Sequence, residues 1–88
     1  GDWSSEHLAQ CYLRLGDFSR AVIIYHKLNA QENVRLHNLF MESHCLMQAD
    51  RLKEALDVLY RALYLSVSDD DVDQSRRAIA WCLFFGAG

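Results

Sequence analysis

Apolar residues recur at helical spacing along almost the whole chain, in stretches parted by short polar or glycine-containing breaks. Leu8, Cys11, Tyr12 and Leu15 stand at i, i+3, i+4 and i+7, which predicts a helix over about 3–15 with these side chains on one face. Gly16 ends it, since a left-handed residue after a helix costs glycine least, and Asp17 can open the next turn. A second helix over about 18–29 follows, with Phe18, Ala21, Val22, Tyr25 and Leu28 as its stripe and Arg20, His26 and Lys27 on solvated faces. The pair predicts an antiparallel hairpin. A third helix over about 33–48 carries Leu36, Leu39, Phe40, Ser43, Leu46 and Met47 on its inner face. A fourth over about 52–66 carries Leu52, Ala55, Leu56, Leu59, Ala62 and Leu63, with Glu54 and Asp57 remaining polar. Ser68-Asp69-Asp70-Asp71 reads as a loop, and Asp71 with Gln74 three residues on has the form of a capping box, predicting a fifth helix over about 71–85 that ends at Gly86.

The pattern repeats at 34 residues. Cys11 falls on Cys45, Tyr12 on Leu46, Gly16 on Asp50, Phe18 on Leu52 and Ala21 on Ala55. Self-similarity at this period is the mark of stacked helical hairpins, in which neighbouring units bury what a lone hairpin leaves exposed. Ala9, Ala21 and Ala55 are small where helices must approach closely, so a larger residue there forces them apart. Ser75, Ala78, Ile79 and Cys82 continue the pattern at an offset of 36 as the first helix of a third unit. The expected division of a single domain over 1–88 is a first repeat over about 2–35, a second over about 36–70 and this helix over about 71–86. Leu83, Phe84 and Phe85 have no evident cover in such a scheme, and the expectation is a piece excised from a longer array.

Composition narrows the function. At 88 residues and 10.2 kDa, 51% hydrophobic and 24% charged, the chain has the make-up of one small folded domain. Proline is absent. A net charge of −3 speaks against a surface built to neutralise a phosphate backbone, so no nucleic-acid partner is expected. The longest apolar run, Ala78 to Phe85, is too short to span a bilayer, and no membrane partner is expected either. Cys11, Cys45 and Cys82 are odd in number and widely spaced, which fits free thiols in a reducing compartment, and the expected location is cytoplasmic.

Candidate chemistry is thin. His7 and Cys11 lie four apart on one helix, and His44-Cys45 recur near the matching place, a spacing that can bind a metal; the simpler reading is that the cysteines fill small spaces in the core. Asp69, Asp71 and Asp73 alternate as at the start of a calcium loop, but the glycine and distal glutamate such a loop needs are replaced by Gln74 and Ala80. Acidic residues at a helix start are explained by capping and the helix dipole. Ser-His-Asp, phosphate-loop and HExxH motifs are missing, and Glu42, His44 and Asp50 read as part of a solvated helix face. No cofactor, no metal and no enzymatic activity are expected.

Ser5-x2-Leu8-Ala9-x2-Tyr12, Gly16-x-Phe18 and Ala21-x3-Tyr25, followed by Leu39, Leu46, Leu52, Ala55, Leu59 and Ala62, together resemble the tetratricopeptide repeat (TPR) family. Glu42 and Ser43 stand where that family has an apolar and a small residue, Asp50 replaces the turn glycine, and the unit-ending proline is replaced by Asn33 and Val67. The resemblance implies an all-α fold, about five helices stacked as a right-handed α-solenoid. It implies a non-catalytic scaffold that binds a peptide or helix of a protein partner on its concave face, next to neighbouring repeats of the parent chain. The first helices of the repeats line that face. The positions carried over are Trp3, Glu6, His7, Gln10, Leu13 and Arg14, then His37, Phe40, Met41, His44, Met47 and Gln48, then Asp73, Arg76, Arg77 and Ala80. The basic and amide residues with which some TPR proteins clamp a terminal carboxylate are replaced by Glu6, Gln10, Met41, Asp73 and Arg77, so that clamp is absent and an amphipathic helix or extended peptide is the better fit. Two other readings remain open on sequence: a pentatricopeptide-like RNA-binding array, which Asn38-Leu39-x6-Leu46-x8-Ala55 also resembles, and an accessory domain of a larger enzyme or regulator.

Overall fold

In the computed structural model, which describes residues 2–86 and side chains from Ser5 onward, the chain forms five helices and, among the described residues, no strand. They are α1 (Asp2–Arg14), α2 (Phe18–Asn29), α3 (Leu36–Gln48), α4 (Leu52–Leu65) and α5 (Asp69–Gly86). Each packs on the next in chain order, giving a slab of 35 × 29 × 18 Å.

The turns that close the two hairpins are the same turn made twice. After α1, the Gly16 amide donates to the Leu13 carbonyl at 3.0 Å and the Asp17 amide to the Tyr12 carbonyl at 2.9 Å. After α3, the Asp50 amide donates to Met47 at 3.1 Å and the Arg51 amide to Leu46 at 2.8 Å. This paired closure, a Schellman motif, requires a left-handed residue just past the helix, and Gly16 (φ 79°) and Asp50 (φ 60°) both supply it. Asp50 thus does the work of Gly16 while carrying a Cβ that disfavours the conformation. Asp17 then starts α2 by accepting a hydrogen bond from the Arg20 amide at 3.3 Å, whereas Arg51 has no side-chain cap to offer α4 and instead pairs with Glu54 at 2.6 Å.

The core runs through all five helices. Ala9, Ala21, Cys45, Ala55, Leu59, Ala62 and Cys82 are completely buried, with Tyr25, Leu39 and Leu46 nearly so. Alanines 21 and 55, 34 residues apart, occupy equivalent places of closest approach. In α5 the buried residues Ser75, Ile79 and Cys82 sit 36 positions after Leu39, Ser43 and Leu46, themselves buried in α3.

Several expectations are corrected. Leu8 and Leu15 are exposed, at 47% and 79%, so the buried face of α1 is Ala9 with Tyr12 and Leu13 partly covered. The physical reason lies in the position 34 residues on: Glu42 in α3 is covered by α2, and no described helix stands in that relation to α1. Glu42 is 3% exposed and does not belong to a solvated face. Helix α3 begins at Leu36 rather than Asn33, after an extended Arg35. Helix α5 begins at Asp69, capped not by Asp71 but by the Ser68 hydroxyl, which accepts from the Asp71 amide at 3.1 Å.

A Cβ on Gly16 would meet no atom within 4 Å, so Gly16→Ala tests the backbone alone and is expected to cost about 1 kcal/mol. Asp50→Gly should stabilise by up to about 1 kcal/mol by relieving the opposite strain. Urea unfolding with an unchanged slope reads both.

Candidate functional site: the inner groove

The first helices of the hairpins, α1 and α3, and the last helix α5 share one face of the slab. Leu13 from α1, Leu36, His37, Phe40, Met41 and His44 from α3, and Asp71 and Gln74 from α5 line a groove of about 670 Å³. It continues along the C-terminal half of α3 into a second groove of about 810 Å³, lined by Met47 and Gln48 and, from α5, by Asp70, Asp73, Gln74, Arg77, Ala78 and Trp81. Gln74 belongs to both. The floor is apolar because Phe40, Met41 and Met47 are only half-buried by the core beneath them and keep their remaining surface on this side.

Of the positions carried over for a concave face, Leu13, His37, Phe40, Met41 and His44 come together in the first groove and Met47, Gln48, Asp73 and Arg77 in the second. Gln10, Arg14, Arg76 and Ala80 are exposed but line neither groove, and the same holds for His7. Trp3 lies outside the residues whose side chains are described. Glu6 is occupied otherwise. Its carboxylate accepts from both the Arg35 guanidinium, at 3.0 and 3.2 Å, and the Asn38 amide at 3.1 Å, tying α1 to the start of α3. Leu36, Asp70, Asp71, Gln74 and Trp81 are lining residues that the repeat pattern did not single out; α5 turns more of its first two turns toward α3 than a register drawn from α1 implied.

Glu6 is one end of a polar seam. Asn29, 2% exposed at the end of α2, donates through Nδ2 to the Asn38 carbonyl at 3.0 Å and to Glu42 Oε1 at 2.8 Å. Glu42 Oε2 lies 3.0 Å from Nδ1 of His26, a side chain otherwise open to solvent. Arg61 of α4 reaches over to donate to the Asn29 carbonyl at 2.6 Å. Buried charge is tolerated only when its hydrogen bonds are made, and these bonds register α2 against α3, the helix that carries the groove. This seam was invisible at the level of hydrophobic spacing, although the departure of Glu42 from the repeat pattern was its signal.

Two of the three thiols, Cys45 and Cys82, belong to the core, whereas Cys11 is only partly covered and does not fill a core space as expected. Burial, and then the nearby Glu42 carboxylate, push the Cys45 thiol from 9.0 up to about 11, and burial raises Cys82 as well, so both stay protonated and unreactive. No group of three or more His, Cys, Asp or Glu among the described residues could hold a metal ion. Asp69 and Asp71 are in the first turn of α5, not in a loop that could wrap calcium.

Residues 2–62, two hairpins in succession, match the family described as anaphase-promoting complex, cyclosome, subunit 3. The chain belongs to that family. It is a TPR-type repeat family, and its match joins the all-helical hairpins seen here in identifying a TPR-like repeat protein. Repeats of this type generally mediate protein–protein interaction and are generally non-catalytic. No curated protein and no solved structure matches the chain. No helix among the described residues is long and apolar enough to cross a membrane.

Two measurements test the chemistry of the seam. Glu42→Ala strands Asn29 Nδ2 with one partner in place of two and is expected to destabilise by about 2–4 kcal/mol in urea unfolding. The raised Cys45 thiol gives stability that is whole below about pH 9, where folded and unfolded chains both hold the proton. It is lost as pH climbs toward about 11, because the unfolded thiol ionises first. Tyr25, also raised by burial, acts in the same direction, so the comparison is with Cys45→Ala, whose stability should fall less steeply across this window.

Proposed function

We propose that this chain is a non-catalytic protein-interaction scaffold that takes a peptide or helix of a partner in the groove shared by α1, α3 and α5. The observation that carries the reading is the apolar surface of Phe40, Met41 and Met47 in two adjoining grooves that share Gln74, walled by polar side chains from α5. Pliable methionines beside a rigid aromatic ring suit an apolar side chain pressed in from outside, and the polar rim orients what it holds. The net charge of −3 disfavours RNA as the occupant. The family description names a subunit of a complex, and the partner proposed is accordingly another chain of a multi-subunit assembly.

The chain's two methionines both lie in the groove, so their methyl signals report on it, while Ile23 and Ile24 of α2 line neither half and serve as controls. Peptides selected on the chain from a random display library should shift the Met41 and Met47 methyl resonances and leave those isoleucines in place. Met41→Asp should weaken such peptides at least about tenfold, as expected for loss of a central anchor. Peptides that move Ile23 and Ile24 and ignore Met41→Asp would place binding elsewhere and overturn the reading.

A further inference from the structure

The two halves of the groove differ in chemistry, and the difference specifies what the occupant must carry. The first half is lined by Leu13, Leu36, Phe40 and Met41 with the two histidines. The second half pairs Met47 and the half-exposed indole of Trp81 with carboxylates from the first turns of α5. Along both halves the lining holds three carboxylates, Asp70, Asp71 and Asp73, against one guanidinium, Arg77. Arg77 is taken by Asp73 at 2.8 Å, while the carboxylates of Asp70 and Asp71 have no ion-pair partner among the described residues. Next to this predominantly acidic rim the Trp81 ring, packed against Phe85 at 4.6 Å between centroids and half-exposed, offers aromatic surface that attracts a cation.

We propose that the occupant is a basic amphipathic helix, with two apolar anchors seven residues apart and Lys or Arg beside the second. The proposal rests on the groove reading above and adds the partner's chemistry to it. Phe40 and Met47 are themselves seven residues apart on α3, so the two apolar seats lie about 10 Å apart along the helix axis, the rise of two turns in a partner laid alongside. A helix brings its backbone hydrogen bonds already made. An extended strand would need a row of amide side chains, and the only carboxamides lining the groove are Gln48 and Gln74. The first anchor fills the seat of Phe40 and Met41, and the second that of Met47. The adjacent cation lies beside Trp81 and Asp70 and shares Asp73 with Arg77, with its charge drawing the segment in before the anchors seat.

The test is the sequence content of library peptides that depend on Met41, measured against chain variants. Expected are peptides with apolar residues at i and i+7 and Lys or Arg flanking the second. Their association should fall steeply between 20 mM and 300 mM salt, and Asp70→Asn with Asp73→Asn together should slow it on the order of tenfold at low salt while the far-UV dichroism shows the chain still fully folded under the same conditions. Helicity induced in the bound peptide, read by its amide chemical shifts, completes the expectation. Three results overturn it: Met41-dependent peptides that are neutral or acidic and indifferent to the two Asp→Asn changes; basic peptides that bind extended; or Met41 and Met47 signals that shift with chain concentration alone, which marks a second copy as the occupant. In each of these the groove remains the binding face. If no selected peptide depends on Met41, the groove reading itself fails.

Discussion

Glu42 enters the seam between α2 and α3 with a charge that has to be met there, and the rest of the molecule is arranged around the meeting. Asn29 spends both of its amide hydrogens on α3, one on Glu42 and one on the Asn38 carbonyl, so the end of α2 is held at one height on the next hairpin. Arg61 repeats the tie from α4 and Glu6 repeats it from α1. Apolar contacts such as Tyr25 against Cys45 and Leu46 provide most of the attraction between hairpins, but they are non-directional and would tolerate a sliding of one helix on another. The hydrogen bonds remove that freedom. Since α3 supplies the middle of the groove, its position relative to α1 depends on this seam.

A left-handed turn residue and removal of side-chain volume work together in the hairpins. The left-handed residue at Gly16 and Asp50 turns the chain within two residues, and the completely buried alanines at 21 and 55 allow the returning helix to lie close. A close return puts the second helices on one side and leaves the first helices free to share the other. The groove is therefore a consequence of the turn geometry, and the surface of its apolar lining residues is separated into a part packed on the core and a part facing the groove. That separation lets Phe40, Met41 and Met47 keep exposed apolar surface beside a core that is already closed beneath them.

The charge of α5 serves two ends in the same way. Its acidic first turn is favourable to the helix dipole and is capped by Ser68, which accounts for the presence of carboxylates there without any partner. Their placement against Met47 and Trp81, on the groove side, is what turns a stabilising feature of one helix into a rim with a sign.

How much of this was legible in the chain differs by kind of interaction. Helix number, the hairpin turns and the equivalence of Gly16 with Asp50 follow from residues close in sequence, through 3.6-residue periodicity and local capping, and these the sequence by itself determined. So too the core alanines, because a small residue recurring at 34 positions has few other uses. The face of a helix that ends up covered is set by what stands opposite, and for this reason Leu8 and Leu15 look like core yet are exposed, while Glu42 looks solvated yet is buried. The same applies at the site. The repeat pattern put Phe40, Met41, His44 and Met47 on one face, and in the structure all four line the two grooves, because they stand at i, i+1, i+4 and i+7 on one helix. It assigned Glu6 to that face when long-range bonds to Arg35 and Asn38 had claimed it, and it passed over Asp70, Gln74 and Trp81, whose approach to α3 depends on how α5 packs. Periodicity records which residues share a side of one helix; only packing between helices decides which side is covered, and burial of the Glu42 carboxylate waits on partners 13 and 16 residues away on another helix.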